Sequence, residues 1–277
     1  MRLMSFLAPS GNKTWGVVEG EAVVDCGTLA PSLRSALGQG SLPSAGSAGQ
    51  RYPLSKITFL PPIPDPEKII CVGLNYRSHI LEGGREIPSH PTIFTRWANT
   101  QVGHLQPIIR PKVSETLDFE GELAVVMGKS CRYVARDTAM GVVAGYSCYN
   151  DGSVRAWQRH TTQFTPGKNF PNTGGFGPWI ITPEEAGDIT KSSLTTRVSG
   201  EEMQRATIDD LVFDIPRLLE YCSTFTQLEP GDVIITGTTG GVGAYRTPPR
   251  WLKPGDIVEI EISAVGTLRH PVIAEEQ

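Results

Sequence analysis

The chain has 277 residues and a mass of 30.0 kDa, enough for one large domain, or one domain with a small appendage. A formal net charge of −4, with 39% hydrophobic and 19% charged residues, leaves no basic face for nucleic acid or an anionic membrane. Its five cysteines are an odd number without any Cys-x-x-Cys spacing, which argues against a disulfide scaffold and for a reducing cytoplasm.

From the start, residues 2–7, 14–18 and 22–25 alternate apolar and polar side chains between turns that carry Gly and Asn, the pattern of a small β meander. This start lacks the apolar region of a secretion signal, and no later stretch reaches the ~20 apolar residues that span a bilayer. A soluble, unprocessed chain is expected. Leu33 to Leu37 suits a helical turn, and Gly38 to Gln50, rich in Ser, Gly and Ala, has little to bury. Pro61 to Pro66 then stiffens the chain, so the boundary between a small N-terminal β-rich domain, 1–60, and a larger domain, 61–277, is expected near residue 60.

Beyond it, Lys68 to Val72 reads as a buried strand, and apolar strands recur at 123–127, 142–149, 179–181, 233–236 and 257–262. The best helix runs from Ile208 to Phe225, where Leu211, Ile215, Leu218, Leu219 and Cys222 recur at helical spacing behind Asp209 and Asp210. Pro230-Gly231 and Pro254-Gly255 stand where type II turns want them, each before a strand. The expectation is a strand-dominated α+β fold with short helices.

Two carboxylates, Glu120 and Glu122, lie two residues apart in an apolar run that ends at Met127. On a strand they share one face with Ala124 and Val126. Two like charges buried side by side cost several kcal/mol per ion, roughly, unless a cation offsets them, and Asp151 follows about one hairpin later. The trio outlines a divalent-metal site, although an exposed strand face and a turn-forming Asp would explain the same residues. Oxygen ligands alone favour Mg²⁺ or Mn²⁺ over zinc.

Further groups gain meaning beside that site. Arg155 and Gln158 share one helical face if a helix starts after Asp151. His79 stands three residues before Glu82, so a helix would let the carboxylate orient the imidazole as a general base, with Gly83 and Gly84 allowing a flap to move. Lys168 sits in a Gly/Pro-rich loop, and Thr238 in a glycine-rich turn where backbone amides can approach a ligand. Gly128-Lys129-Ser130 lacks the earlier glycine of a phosphate loop, and no dinucleotide fingerprint is present. His90, His104, His160 and His270 show no metal-type spacing.

Taken in order, Gly73-x-Asn75-Tyr76-x-x-His79, Asp118-Phe119-Glu120-x-Glu122, Asn150-Asp151 with Arg155 and Gln158, Gly167-Lys168, and Thr236 through Gly243 resemble the fumarylacetoacetate hydrolase family over residues 60–273. The resemblance implies a mixed β-roll, a homodimer, and Mg²⁺ or Mn²⁺ bound by Glu120, Glu122 and Asp151. It also implies that Arg155, Gln158, Lys168 and Thr238 hold a 2-oxo acid, while His79 and Glu82 on a lid activate water, with Lys168 among the catalytic groups. Two departures stand out: Thr239 where members often have Pro, and Phe94-Thr95-Arg96-Trp97 where they often have Phe-x-Lys-Pro. Both are expected where a substrate tail passes.

The activity so implied is hydrolytic carbon–carbon cleavage of an acylpyruvate, such as fumarylpyruvate or maleylpyruvate, with the departing pyruvate enolate stabilised at the metal. The same site would also serve an oxaloacetate-type decarboxylase or a 2-hydroxymuconate-type isomerase. A silent member that binds 2-oxo acids without turnover is the alternative from another class.

Overall fold

The run from Gly121 to Met127 forms the centre of the molecule. In a computed structural model that describes residues 1–43, 49–84 and 86–276, this strand is buried along its whole length. Its alternation divides two cores: Leu123, Val125 and Met127 pack with Leu194, Ile260, Ile262 and Leu218, while Ala124 and Val126 pack with Trp15, Leu33, Cys71 and Ile235. Both faces are therefore dry, which is why the strand reads as a continuous apolar run. Each fully buried Leu, Ile or Val contributes ~1.5–3 kcal/mol.

On one side this strand pairs with Val143–Asn150, and on the other with Val233–Thr238, both antiparallel. The sheet then continues through Ile69–Gly73, which runs parallel to Val233–Thr238, to Thr92–Arg96. A second sheet of five strands is built around Ser193–Val198, Ile257–Ile262 and Gly266–Ala274. The fold is the expected strand-dominated α+β architecture.

The N-terminal strands extend the same large sheet. Arg2–Leu7 pairs with Gly174–Ile181 at Arg2↔Ile181 and Leu3↔Ile180, and Leu3 and Trp15 share a core with Cys71 and Ala124. Hydrogen bonds and apolar packing thus cross the boundary expected near residue 60. Part of the Ser/Gly/Ala-rich stretch from 38 to 50 lies outside the described residues.

The long helix starts later than its apolar spacing suggests. Ile208–Asp210 is a separate 3₁₀ turn, and the helix is Ile215–Phe225, opened by Asp214, whose side chain accepts from the Arg217 amide at 2.9 Å. Pro216 explains the shift. In the first turn its missing N–H costs nothing, whereas in a helix begun at 208 its ring would clash with the preceding turn. Gly231 and Gly255, at φ +85° and +95°, supply the left-handed residue that type II turns need.

Candidate active site

Three strand ends converge on one point. Glu120 immediately precedes the central strand, Glu122 is its second residue, and Asp151 follows the neighbouring strand Val143–Asn150, in register with Gly121↔Asn150. The Asp151 amide donates to the Glu120 carbonyl at 2.9 Å, which fixes the two chains' relative height. One carboxylate oxygen from each of Glu120, Glu122 and Asp151 then lies within 4.8 Å of the others, and all three residues are buried.

Cations surround this cluster unevenly. The Lys168 ammonium, from the turn Thr165–Lys168, lies 2.6 Å from both Glu120 Oε2 and Asp151 Oδ2. Arg155, at the start of the turn Arg155–Gln158, donates from Nε to Asp118 Oδ2 at 2.8 Å and from a terminal nitrogen to Gln158 Oε1 at 2.9 Å. Its other terminal nitrogen makes a charge contact of 2.6 Å with Glu120 Oε1, outside hydrogen-bond geometry. Arg96 donates to Asp151 Oδ1 at 2.6 Å and is itself held by the Gly152 carbonyl and the Thr173 hydroxyl. Arg96 was expected near a substrate tail. Instead it is buried against a candidate metal ligand, because its guanidinium has the donors to satisfy a carboxylate, a carbonyl and a hydroxyl together.

Glu122 has no such partner. Its Oε2 accepts the Gly237 amide at 2.6 Å, and Gly237 presents that amide at φ +105°, with Asn75 and the Val72 carbonyl where a Cβ would stand. Burial, then Asp151 and Glu120, push the Glu122 carboxyl well above the usual range. At Glu120 burial works in the same direction, but Arg155 and Lys168 overcome it and hold the group at about 2. Burial would lower Lys168, yet Asp151 and Glu120 keep it above its ordinary value.

Counted as ionised, four buried carboxylates, including Asp118, face three buried cations, and the carboxylate left without a cation is Glu122. A dication fits that deficit and that all-oxygen donor set. Glu120, Glu122 and Asp151 would hold Mg²⁺ or Mn²⁺, and the cluster would then carry about one positive charge, suited to an anionic head group.

The cluster forms the floor of a cleft of about 440 Å³, also lined by His79, Gln158, Arg159, Lys168, Thr238 and Tyr245. His79 rides on the short helix Arg77–Glu82 and is 8% exposed. A six-residue helix is not stable alone. Asn75, just before it, pins it by donating to the Phe213 and Thr236 carbonyls and accepting the Phe213 amide. Burial pulls His79 below its ordinary value, opposed by Glu120, so its imidazole is neutral at pH 7. Glu82 does not form the expected hydrogen bond to it. The gap from His79 Nδ1 is 3.6 Å, and the Glu82 carboxylate accepts the Gly241 amide instead, at 3.0 and 3.2 Å. Thr238 lies in the cleft with its hydroxyl donating to the Gly121 carbonyl at 3.0 Å and accepting from Gln204 at 2.8 Å.

Residues 68–273 match the family described as fumarylacetoacetate (FAA) hydrolase, C-terminal. The chain belongs to the fumarylacetoacetate hydrolase family. A mitochondrial oxaloacetate tautomerase (fahd2) of Xenopus laevis is 36% identical over 288 residues, covering 99% of this chain and 90% of that protein. A maleylpyruvate hydrolase from Sphingobium sp. SYK-6, in complex with manganese(II) and pyruvate, has the same fold, with a TM-score of 0.83, 28% identity and full coverage of both chains. A 2-hydroxyhepta-2,4-diene-1,7-dioate isomerase from Mycobacterium marinum also superposes, with a TM-score of 0.83, 31% identity and full coverage of both chains. Within this family the same scaffold therefore carries tautomerase, isomerase and hydrolase names.

Several supports of this family site escape a reading by spacing. Asp118 binds Arg155 and accepts the Phe119, Gly243 and Ala244 amides at 2.8–3.0 Å. Its place in the motif with Glu120 was its only signal. Gln204 bridges the Gly121 amide, the Thr238 hydroxyl and the Thr239 carbonyl, from a strand more than 80 residues from Gly121. Nothing around Gln204 in sequence marks it.

Proposed function

We propose that the chain catalyses keto–enol tautomerisation of a short 2-oxo dicarboxylate of the oxaloacetate class. The observation that carries this reading is a neutral, nearly buried His79 facing the acidic cluster without a hydrogen-bonded carboxylate behind it. Hydrolysis calls for a base strengthened to activate water. Tautomerisation needs only an imidazole that takes a proton from C3 and returns one to the 2-oxygen, so atoms balance without a co-reactant. A dication bound by Glu120, Glu122 and Asp151 would supply Lewis-acid stabilisation of charge developing on the substrate's 2-oxygen.

The chain's own groups do the rest. Lys168 and Arg155 lie beside the carboxylates at the cleft floor and offset the negative charge that would repel an anion. Gln158 and Thr238 border the same space and orient the head group. His79 and the helix that carries it close one side, limiting water at C3. The likeness to an oxaloacetate tautomerase along nearly the whole chain supports this reading.

Acylpyruvate hydrolysis is the second reading. It is favoured by the maleylpyruvate hydrolase of the same fold and by a His79–Glu82 gap of 3.6 Å, which a small side-chain movement would close. The deciding assay follows the ultraviolet absorbance of enol-oxaloacetate together with pyruvate and carbon dioxide release. Faster enol decay with neither product, abolished by a chelator and restored by Mg²⁺ or Mn²⁺, is expected. Pyruvate from an acylpyruvate at higher kcat/KM would transfer the assignment to hydrolysis, and carbon dioxide from oxaloacetate would transfer it to decarboxylation. Binding without any turnover would leave a silent 2-oxo acid binder.

Five free cysteines support a reducing compartment, for which we take the cytoplasm. Among the described residues, no helix is long and apolar enough to cross a membrane. A homodimer is the proposed assembly, to be checked by light scattering.

A further inference from the structure

Three side-chain cations line the cleft, namely Arg155, Arg159 and Lys168. Two are matched by buried carboxylates. Arg155 meets Asp118 and Glu120, and Lys168 meets Glu120 and Asp151, all at 2.6–2.8 Å. Arg159 differs: it is exposed at the rim and, among the described residues, has no ion pair.

Its position follows from the helical turn below it. The Arg159 amide donates to the Arg155 carbonyl at 3.2 Å, so Arg159 stands one turn beyond Arg155, on the same face and ~6 Å further along the axis. The three carbon–carbon bonds of a four-carbon diacid separate its carboxyl carbons by ~4 Å. A long arginine stem spans the remaining difference.

An exposed arginine in ordinary surroundings is simply solvated. Charge matching makes this one different. With a dication bound, the floor of the cleft carries about one positive charge, which balances the carboxylate beside the 2-oxo group. A second carboxylate then meets Arg159, the cleft cation that is not already paired with a carboxylate among the described residues. Thr162 adds a hydroxyl to the same rim.

We propose that Arg159 forms a subsite for the distal carboxylate of a 2-oxo dicarboxylate, and so makes the cleft select diacids over 2-oxo monoacids. This deepens the tautomerase reading and rests on its dicarboxylate substrate. The test measures calorimetric binding of the non-enolisable diacid 3,3-difluorooxaloacetate and of pyruvate to Mg²⁺-loaded protein, wild type, Arg159→Gln and Arg159→Lys, together with oxaloacetate turnover.

Arg159→Gln should weaken the diacid by about 10-fold or more, the usual weight of a charge-assisted pair, and raise KM for oxaloacetate. It should leave pyruvate binding unchanged, and Arg159→Lys should recover part of the loss. Equal weakening of both ligands, or of neither, would overturn the subsite, as would a wild type that binds the diacid no tighter than pyruvate. Wild type that discriminates through Arg159 yet does not turn over oxaloacetate would sink the tautomerase reading and leave the subsite standing.

Discussion

Arg96 and His79 illustrate how much a single side chain's surroundings decide. Arg96 has no exposed side-chain surface and neutralises Asp151. Breaking a buried pair strands a charge and costs ~3–5 kcal/mol, so Arg96→Met should lower unfolding free energy by about that much in urea titrations, with Arg96→Lys losing less. An Arg96→Met protein as stable as wild type would show that Lys168 alone suffices for Asp151. His79 is a different kind of residue, buried yet uninvolved in holding the cluster. His79→Ala should reduce kcat by ~10²-fold or more while Mg²⁺ affinity, read by titration calorimetry, stays within error. An unchanged kcat would remove His79 from the proton transfer. The sequence marked His79 through its spacing to Glu82, but could not reveal that Glu82 is held by the Gly241 amide, because that contact joins residues 159 positions apart.

Elements differ in what holds them. The helix Ile215–Phe225 carries its own signals, an apolar face and Asp214 as N-cap. Removing such a cap costs ~1 kcal/mol, so Asp214→Ala should lower Tm measurably. Asp214 also meets Arg136 at 2.5 Å on the exposed surface, a pair of the kind that contributes little, so Arg136→Ala should have a much smaller effect. Equal losses in the two variants would shift the stabilisation from the cap to the ion pair. The helix Arg77–Glu82 lacks any side-chain cap and depends on Asn75 and the strand behind it. Its existence was foreseeable only as a possibility of spacing, and its orientation over the cleft comes from contacts with Phe213 and Thr236.

At the scale of the whole molecule, one buried and one half-buried histidine make stability depend on pH. Burial pulls His270 to about 4, despite its contact with the Gln106 carbonyl, and burial together with Arg269 pulls His104 to about 4. Unfolded histidines titrate near ~6.5. Between those values the unfolded chain binds more protons than the folded one, so stability rises with pH and is lost progressively as pH falls from about 6.5 towards 4. For the fully buried His270 the full loss is on the order of 3 kcal/mol. Urea midpoints should therefore decline from pH 7 to pH 4.5, with a shallower slope in His270→Asn. A slope unaltered by that substitution would assign the acid sensitivity to other groups.

What the residues alone determined was periodic and local: the strands, the two Pro-Gly turns, and the pairing of Glu120 with Glu122 on one face, because side-chain direction on a strand follows directly from spacing. The tertiary structure decided which charges meet. It joined the strands of residues 1–60 to the large sheet, set Arg96 on Asp151, left Glu122 without a cation, and turned Arg159 to the rim of the cleft. Periodicity states which way a side chain points, whereas its partner depends on segments brought together from far along the chain by burial of two apolar cores. Electrostatic pairing inside those cores is decided only once the segments have met.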